Sequence, residues 1–388
     1  MAKVLLVEPP KSRKYYTKYP PLGLLKIGSY HKSLGNETKL LSGDWKYEDL
    51  ENLIPGMFDG GFYPDVIYIT SLFTFYWQAV HETIDAMISY FPHAEIKVGG
   101  IYASLCPDHI KTKYKNRVSV HIGVMKEVEK FLPDYSLVPD YDGDIVFASR
   151  GCVNKCKFCA VPILEPNFSA KRSIKNQLFD EHTHVTCWDN NILASPYYRY
   201  IFRELMSVGK LVDFNQGIDA RLLDAEAAWY IGHMNMPVVR VAYDQMGQGM
   251  AVKRAIGLLK AVGIRPRDIL TYVLYNFKDT PENFWVRCKH LVEWGATTFP
   301  MRYEPLEPSK RYAHIGKMWT PEKLKMVDRT RFVYGVGGAF PPKQDILERF
   351  TKAQSFDEAF YVSDEELAKH KEEMKARQKE RKNQNGRR

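Results

Sequence analysis

The chain has 388 residues, enough for two or three domains with real cores. Hydrophobic residues make up 45% and charged residues 26%, which excludes a mainly disordered chain, a fibrous repeat and a disulfide miniprotein. The formal net charge is +9, but residues 371–388 carry +5 of it, so the remainder lacks the basic footprint of a nucleic-acid binder.

No run approaches the ~18 consecutive apolar residues of a membrane span. The opening MAKVLLVEPP has neither the long apolar block nor the small-residue cleavage site of a leader, and it reads as a strand. The expected location is the cytoplasm, where six cysteines do not read as a disulfide framework.

Residues 1–140 alternate strands and helices. KVLLVE (3–8) suits a strand buried on both faces. A Pro-rich turn leads to a helical stretch at 22–34 closed by Gly35, and a second strand follows at 38–41. Further strands are DVIYITS (65–71), EIKVGG (95–100) and VSVHIG (118–123), and apolar residues recur at helical spacing over 77–90. Strands separated by helices need crossovers, which predicts a doubly wound, Rossmann-like parallel sheet.

Residues 141–310 repeat the βα rhythm six times, with strands predicted at 144–149, 184–189, 210–215, 238–243, 269–275 and 297–303. Ser195-Pro196, Thr280-Pro281 and Thr320-Pro321 each place a capping hydroxyl before a proline. Gly209, Gly263 and Gly295 stand where left-handed helix caps are expected. This rhythm predicts a partial (βα)6 TIM-type barrel, with function at the C-terminal strand ends.

A C-terminal helical extension is expected over 311–370, with GVGGAFPP (335–342) as a turn because it lacks the GKS/T ending of a phosphate loop. The tail 371–388 is too polar to offset its ordering entropy, so a frayed helix or disorder is expected. It is either solvated or an arm for RNA or a protein partner.

The chemistry lies in DIVFASRGCVNKCKFCAVP. Cys106, Cys187 and Cys288 are scattered, whereas Cys152, Cys156 and Cys159 crowd into eight positions as C-x3-C-x2-C, just after a strand. Three thiolates fit a cubane iron–sulfur cluster whose fourth iron lacks a protein ligand. A zinc site completed by Cys187 or a histidine is the alternative.

C-x3-C-x-aromatic-C at the end of the first strand of a (βα)6 region resembles the signature of the radical S-adenosylmethionine (radical SAM) superfamily, with Phe158 at the aromatic position. The resemblance implies a 4Fe–4S cluster on Cys152, Cys156 and Cys159, with S-adenosyl-L-methionine chelating the fourth iron. It further implies one-electron cleavage to methionine and a 5′-deoxyadenosyl radical that abstracts hydrogen from a substrate. A one-electron donor such as flavodoxin or ferredoxin is implied as partner.

Where the superfamily often carries Gly-Gly-Glu to bind the cofactor's amino group, this chain has CWDNN (187–191). Asp189 and Asn190 could bind an ammonium there, or form a strand-end turn. Alternation along 210–215 places Val212 and Phe214 on one face and Asp213 and Asn215 on the other; with the apolar face against the outer helices, Asn215, Asp219 and Arg221 are expected toward the barrel mouth, where Asn215 is a candidate cofactor contact. Arg221 could fork onto the cofactor's carboxylate or pair with Asp219 or Asp224. Asp244 could meet ribose hydroxyls or bridge to Arg240. Arg302 and Glu304 could pair with each other or meet substrate. His182, His184, His233 and His290 lack ligand spacing and read as structural. No catalytic side chain is singled out.

A Rossmann-like domain ahead of such a core resembles the cobalamin-binding class of the superfamily. Residues 20–35, DVIYITS and EIKVGGIYAS look like that class's first domain. No Asp-x-His-x-x-Gly occurs in residues 1–140, so cobalamin would bind without a lower histidine ligand, or the domain would be a substrate platform. Both hydrogen abstraction and cobalamin-assisted methylation are compatible with the sequence. Methylthiotransfer is disfavoured, because Cys106 alone stands among residues 1–140. The competing functional class is a non-catalytic zinc- or RNA-binding protein using the cysteines and the basic tail.

Overall fold

Runs of branched apolar residues become parallel strands at nearly all the places the sequence marks. The computed structural model describes residues 1–10, 18–46 and 61–385. The chain divides into two compact units, residues 1–190 with 304–314, and residues 191–303 with 315–388.

In the first unit, β1 (Lys3–Val7), β2 (Glu37–Leu41), β3 (Val66–Ser71), β4 (Glu95–Gly100) and β5 (Val118–Val120) form a parallel sheet in the order β2-β1-β3-β4-β5. The order reverses between β1 and β3, the switch point of a doubly wound sheet. Leu5, Val7, Ile67 and Ile69 pack on one face against Val80, Ile84 and Met87 of the helix Trp77–Tyr90. Val4 and Leu6 pack on the other against Leu24 of the helix Leu22–Ser33.

The same unit continues through β6 (Asp144–Val146), β7 (Ser149–Arg150), β8 (Ser169–Ala170) and β9 (His184–Cys187). β6 and β9 pair in parallel, whereas β7 and β8 form a short antiparallel pair. The unit runs past residue 140 because Leu22 packs on Ile145 and Phe147, with Tyr19 and Trp188 against the same cluster. Residues 304–314 join it through Pro305 O, which accepts from Thr74 Oγ1 at 2.9 Å, and Leu306 O, which accepts from Cys106 Sγ at 3.4 Å.

The second unit holds β10 (Leu211–Phe214), β11 (Val239–Ala242), β12 (Ile269–Tyr275) and β13 (Thr297–Arg302), with β11, β12 and β13 parallel neighbours in that order. Val239, Val241 and Tyr243 are fully buried, whereas Arg240, Ala242 and Asp244 are only partly so, the alternation expected. Thr280 and Thr320 cap the helices Pro281–Trp294 and Pro321–Val333 as the sequence predicts. Ser195 does not: the helix starts at Tyr198, and the Ser195 hydroxyl accepts from the Tyr197 N–H in the preceding turn.

GVGGAFPP forms a tight hairpin, with Val336 opposite Ala339 and Gly337 and Gly338 both at positive φ (60° and 80°). Phe340 then bridges Thr298, covering part of the β13 edge. Where a frayed helix or disorder was expected after residue 370, the chain is helical, within Asp364–Asn385. Among the described residues, no helix is long and apolar enough to cross a membrane.

Candidate cofactor site at the strand ends

The cysteine loop grows directly out of β7. Gly151 has φ +74°, and a Cβ there would stand 2.5 Å from the carbonyl oxygen of Asn167 and 2.9 Å from that of Glu165. Only glycine tolerates this conformation and this approach together. The Gly151 N–H donates to Glu165 Oε2 at 2.7 Å. The same carboxylate pairs with Arg150 at 3.2 Å and accepts from Asn190 Nδ2 at 3.3 Å. Arg150 also reaches Glu129 at 3.5 Å and lies 4.0 Å over the Phe147 ring.

From this base Cys152, Cys156, Phe158 and Cys159 run through one irregular, partly exposed loop, and the three cysteines are not in disulfides. The Asn154 N–H points at Cys152 Sγ (3.4 Å) and the Val161 N–H at Cys159 Sγ (3.5 Å), while the Cys159 N–H donates to Cys156 O at 3.1 Å. Amides aimed at cysteine sulfurs tune the potential of an iron–sulfur cluster that those sulfurs hold. Three soft donors in one loop, two carrying such bonds, fit an iron–sulfur cluster. Among the described residues no group of three or more His, Cys, Asp or Glu side chains gathers as for a single metal ion. The thiolates of a cubane sit instead on three different irons.

Asp189 is bonded to the start of the cysteine segment. It is 3% exposed, and its carboxylate accepts from the Ala148 N–H at 3.3 Å, from the Ser149 N–H, and from the Ser149 hydroxyl at 2.6 Å. Burial pushes its carboxyl up, against the pull of these bonds. It ties the end of β9 to the root of the cysteine loop, forty residues earlier in the chain. Asn190 meets the same loop through Glu165.

In the second unit the remaining candidates also follow C-terminal strand ends. Asn215, just after β10, accepts from Gln216 Nε2 at 3.0 Å. Of the readings open for Arg221, the structure shows a two-pronged pair with Asp219, Nε to Oδ1 at 2.7 Å and Nη2 to Oδ2 at 2.8 Å. Asp219 also accepts from Asn191 at 3.0 Å, while Asp224 caps the helix Ala225–His233. Asp244 lies beyond β11, and one oxygen accepts from the Leu274 N–H at 3.3 Å. Burial pushes its carboxyl up to about 6, against that bond and the charges of Arg287 and Arg221. Arg240, the alternative partner of Asp244, pairs with Asp213 across β10 and β11.

The histidines have structural partners: His182 on Asp144, His184 on Asp142, His233 on Trp229 O and His290 on the Tyr243 hydroxyl. Glu304 receives the Tyr312 N–H at 3.1 Å. Arg302 lies opposite Tyr275 in the β12–β13 register. Sequence reasoning missed Arg150 and Glu165, whose signal was their placement on either side of the cysteine motif.

No family model matches the chain, and no curated protein is similar to it in sequence. Solved structures are. TsrM from Kitasatospora setae, described as a radical S-adenosylmethionine methyltransferase with cobalamin and a [4Fe-4S] cluster bound, superposes with a TM-score of 0.60 at 13% identity. The match covers 86% of this chain and 76% of that one. The chain shares its fold with this structure. OxsB, described as a cobalamin-dependent S-adenosylmethionine radical enzyme with aqua-cobalamin and S-adenosylmethionine bound, superposes with a TM-score of 0.56 at 13% identity. That match covers 76% of this chain but 52% of OxsB, so the chain spans about half of that enzyme's length. The resemblance read from the cysteine motif and the resemblance read from the whole fold therefore coincide.

Proposed function

We propose that this protein is a radical SAM enzyme that reductively cleaves S-adenosyl-L-methionine, for hydrogen abstraction from its substrate or for cobalamin-assisted methylation. The observation that carries this reading is the three-cysteine loop at the end of β7, with amides on two of its sulfurs, in a chain sharing the fold of TsrM and OxsB. A 4Fe–4S cluster there would supply one-electron chemistry at an iron left open to the cofactor.

Cys152, Cys156 and Cys159 would hold the cluster, with Phe158 beside them in the same loop. Gly151, Arg150 and Glu165 fix the loop's root, and Asp189 fixes the strand end beneath it. Within the first unit Asn190 is the polar group offered to the cofactor, and Asn215, Asp244 and the Arg221–Asp219 pair are the polar groups at the strand ends of the second unit. The partial (βα)6 barrel belongs to this reading, as do a flavodoxin- or ferredoxin-type donor and a cytoplasmic setting.

Cobalamin is the second cofactor proposed. In support, Leu72 and Phe73 after β3, Ile101 after β4, and Ile122 and Val124 after β5 leave apolar side chains exposed at the C-terminal edge of the N-terminal sheet. Retained absorbance after incubation with hydroxocobalamin and desalting tests that cofactor.

The deciding experiment is anaerobic reconstitution with iron and sulfide quantification, followed by a 5′-deoxyadenosine assay with a reductant. About four irons with matching sulfide are expected. Cys152→Ala, Cys156→Ala and Cys159→Ala should each lose 5′-deoxyadenosine formation. Activity surviving in all three, or one zinc without sulfide, overturns the proposal.

A further inference from the structure

Trp188 follows β9 and stands at the root of the cysteine loop: its N–H donates to Val146 O at 3.0 Å, and its neighbour Asp189 holds Ala148 and Ser149. The ring packs edge-on against Tyr19 (centroids 5.5 Å, 86°) and Phe147 (6.2 Å, 81°). Its Nε1 is buried and has no hydrogen-bond partner among the described residues. An indole nitrogen only donates, so it needs an acceptor. A buried donor left without one costs about 1–3 kcal/mol, which is why such groups are rare unless something else meets them. Neither the Tyr19 ring nor the Phe147 ring that packs on the indole satisfies it.

We propose that the Trp188 indole N–H is a cofactor-binding donor that takes an oxygen acceptor of a bound cofactor at the strand ends. Two sources supply this chemistry, the carboxylate of S-adenosylmethionine and an amide oxygen of a cobalamin side chain. This inference rests on the radical SAM reading and adds a residue to its site.

The test uses the reconstituted full chain and two separate titrations, one with S-adenosylmethionine and one with hydroxocobalamin, read as Kd by equilibrium dialysis. Trp188→Phe keeps an aromatic ring and removes the donor. Its Kd should rise about 3- to 30-fold for the cofactor that supplies the acceptor, the range of one hydrogen bond to a neutral or charged oxygen, and stay unchanged for the other. Iron content equal to wild type shows that the loop survives the substitution. An unchanged Kd in both titrations overturns the inference, whereas a wild type that binds neither cofactor overturns the radical SAM reading itself. Should Trp188→Phe fail to fold, the wild-type indole 15N–H resonance decides: it shifts on adding the cofactor that bonds it, and a resonance unmoved by both overturns the inference.

Discussion

At Gly151 the backbone passes so close to residues 165 and 167 that no side chain fits, and the next residue is the first cysteine of the motif. The glycine sets the direction in which the loop leaves β7, and Glu165 holds it there through the Gly151 N–H and the Arg150 guanidinium. Gly151→Ala combines a left-handed conformation with a 2.5 Å approach to backbone. The substitution should cost about 2 kcal/mol or more and reduce iron incorporation. Thermal unfolding and iron analysis of the reconstituted variant check both, and a variant with wild-type iron content and melting temperature would show that the loop root is dispensable. Asp189 is the complementary case, a carboxylate that reads as a cofactor ligand in the sequence and is consumed by two backbone amides and a hydroxyl in the structure.

At the scale of elements, the helices beside the N-terminal sheet are laced by a buried polar cluster. His81 on Trp77–Tyr90 meets the Tyr102 hydroxyl at 2.9 Å, which meets His109 Nδ1 at 2.6 Å, and the Tyr114 hydroxyl donates to His81 O at 3.0 Å. Burial holds the His81 imidazole down at about 4, helped by His109 and Lys113 and opposed by Asp85. An unfolded chain takes up that proton near pH ~6.5. Between these values the unfolded state binds more protons than the folded one, so stability falls as pH falls through this window and is insensitive to His81 above it. Melting temperatures between pH 7 and 4 should therefore drop more steeply in wild type than in His81→Phe. Parallel curves for the two proteins would remove His81 from the acid response.

At the scale of the molecule, charge and structure part company in the C-terminal tail. The helix Asp364–Asn385 is anchored at its start, where Asp364 pairs with Arg329 at 3.1 Å and Glu366 bonds the Tyr334 hydroxyl, and its side chains from 371 to 378 are exposed. Acidic residues in its first turn complement the helix dipole, which favours the helical form where no face is buried. Removing residues 371–388 should leave the melting temperature within about 2 °C while stripping +5 of the net charge. Calorimetry and retention on a cation exchanger check the two halves of that statement.

The sequence by itself determined what depends on neighbours along the chain. Strand positions follow from runs such as KVLLV and ILTYVLY, the caps at Thr280 and Thr320 from adjacent prolines, and the candidate cluster from three cysteines in eight positions. Tertiary structure decided everything that pairs residues far apart. The sequence left Asp189 between a cofactor contact and a turn, and Arg221 between a cofactor carboxylate and a neighbouring aspartate; the structure bonds Asp189 to Ser149, forty residues away, and Arg221 to Asp219. It was folding that gave Arg150, Glu165 and Trp188 their surroundings, and that drew 304–314 to the N-terminal unit. A spacing pattern records which side chains can lie on one face. Which donor finds which acceptor is set only when strands and loops converge, because hydrogen bonds and burial act through space.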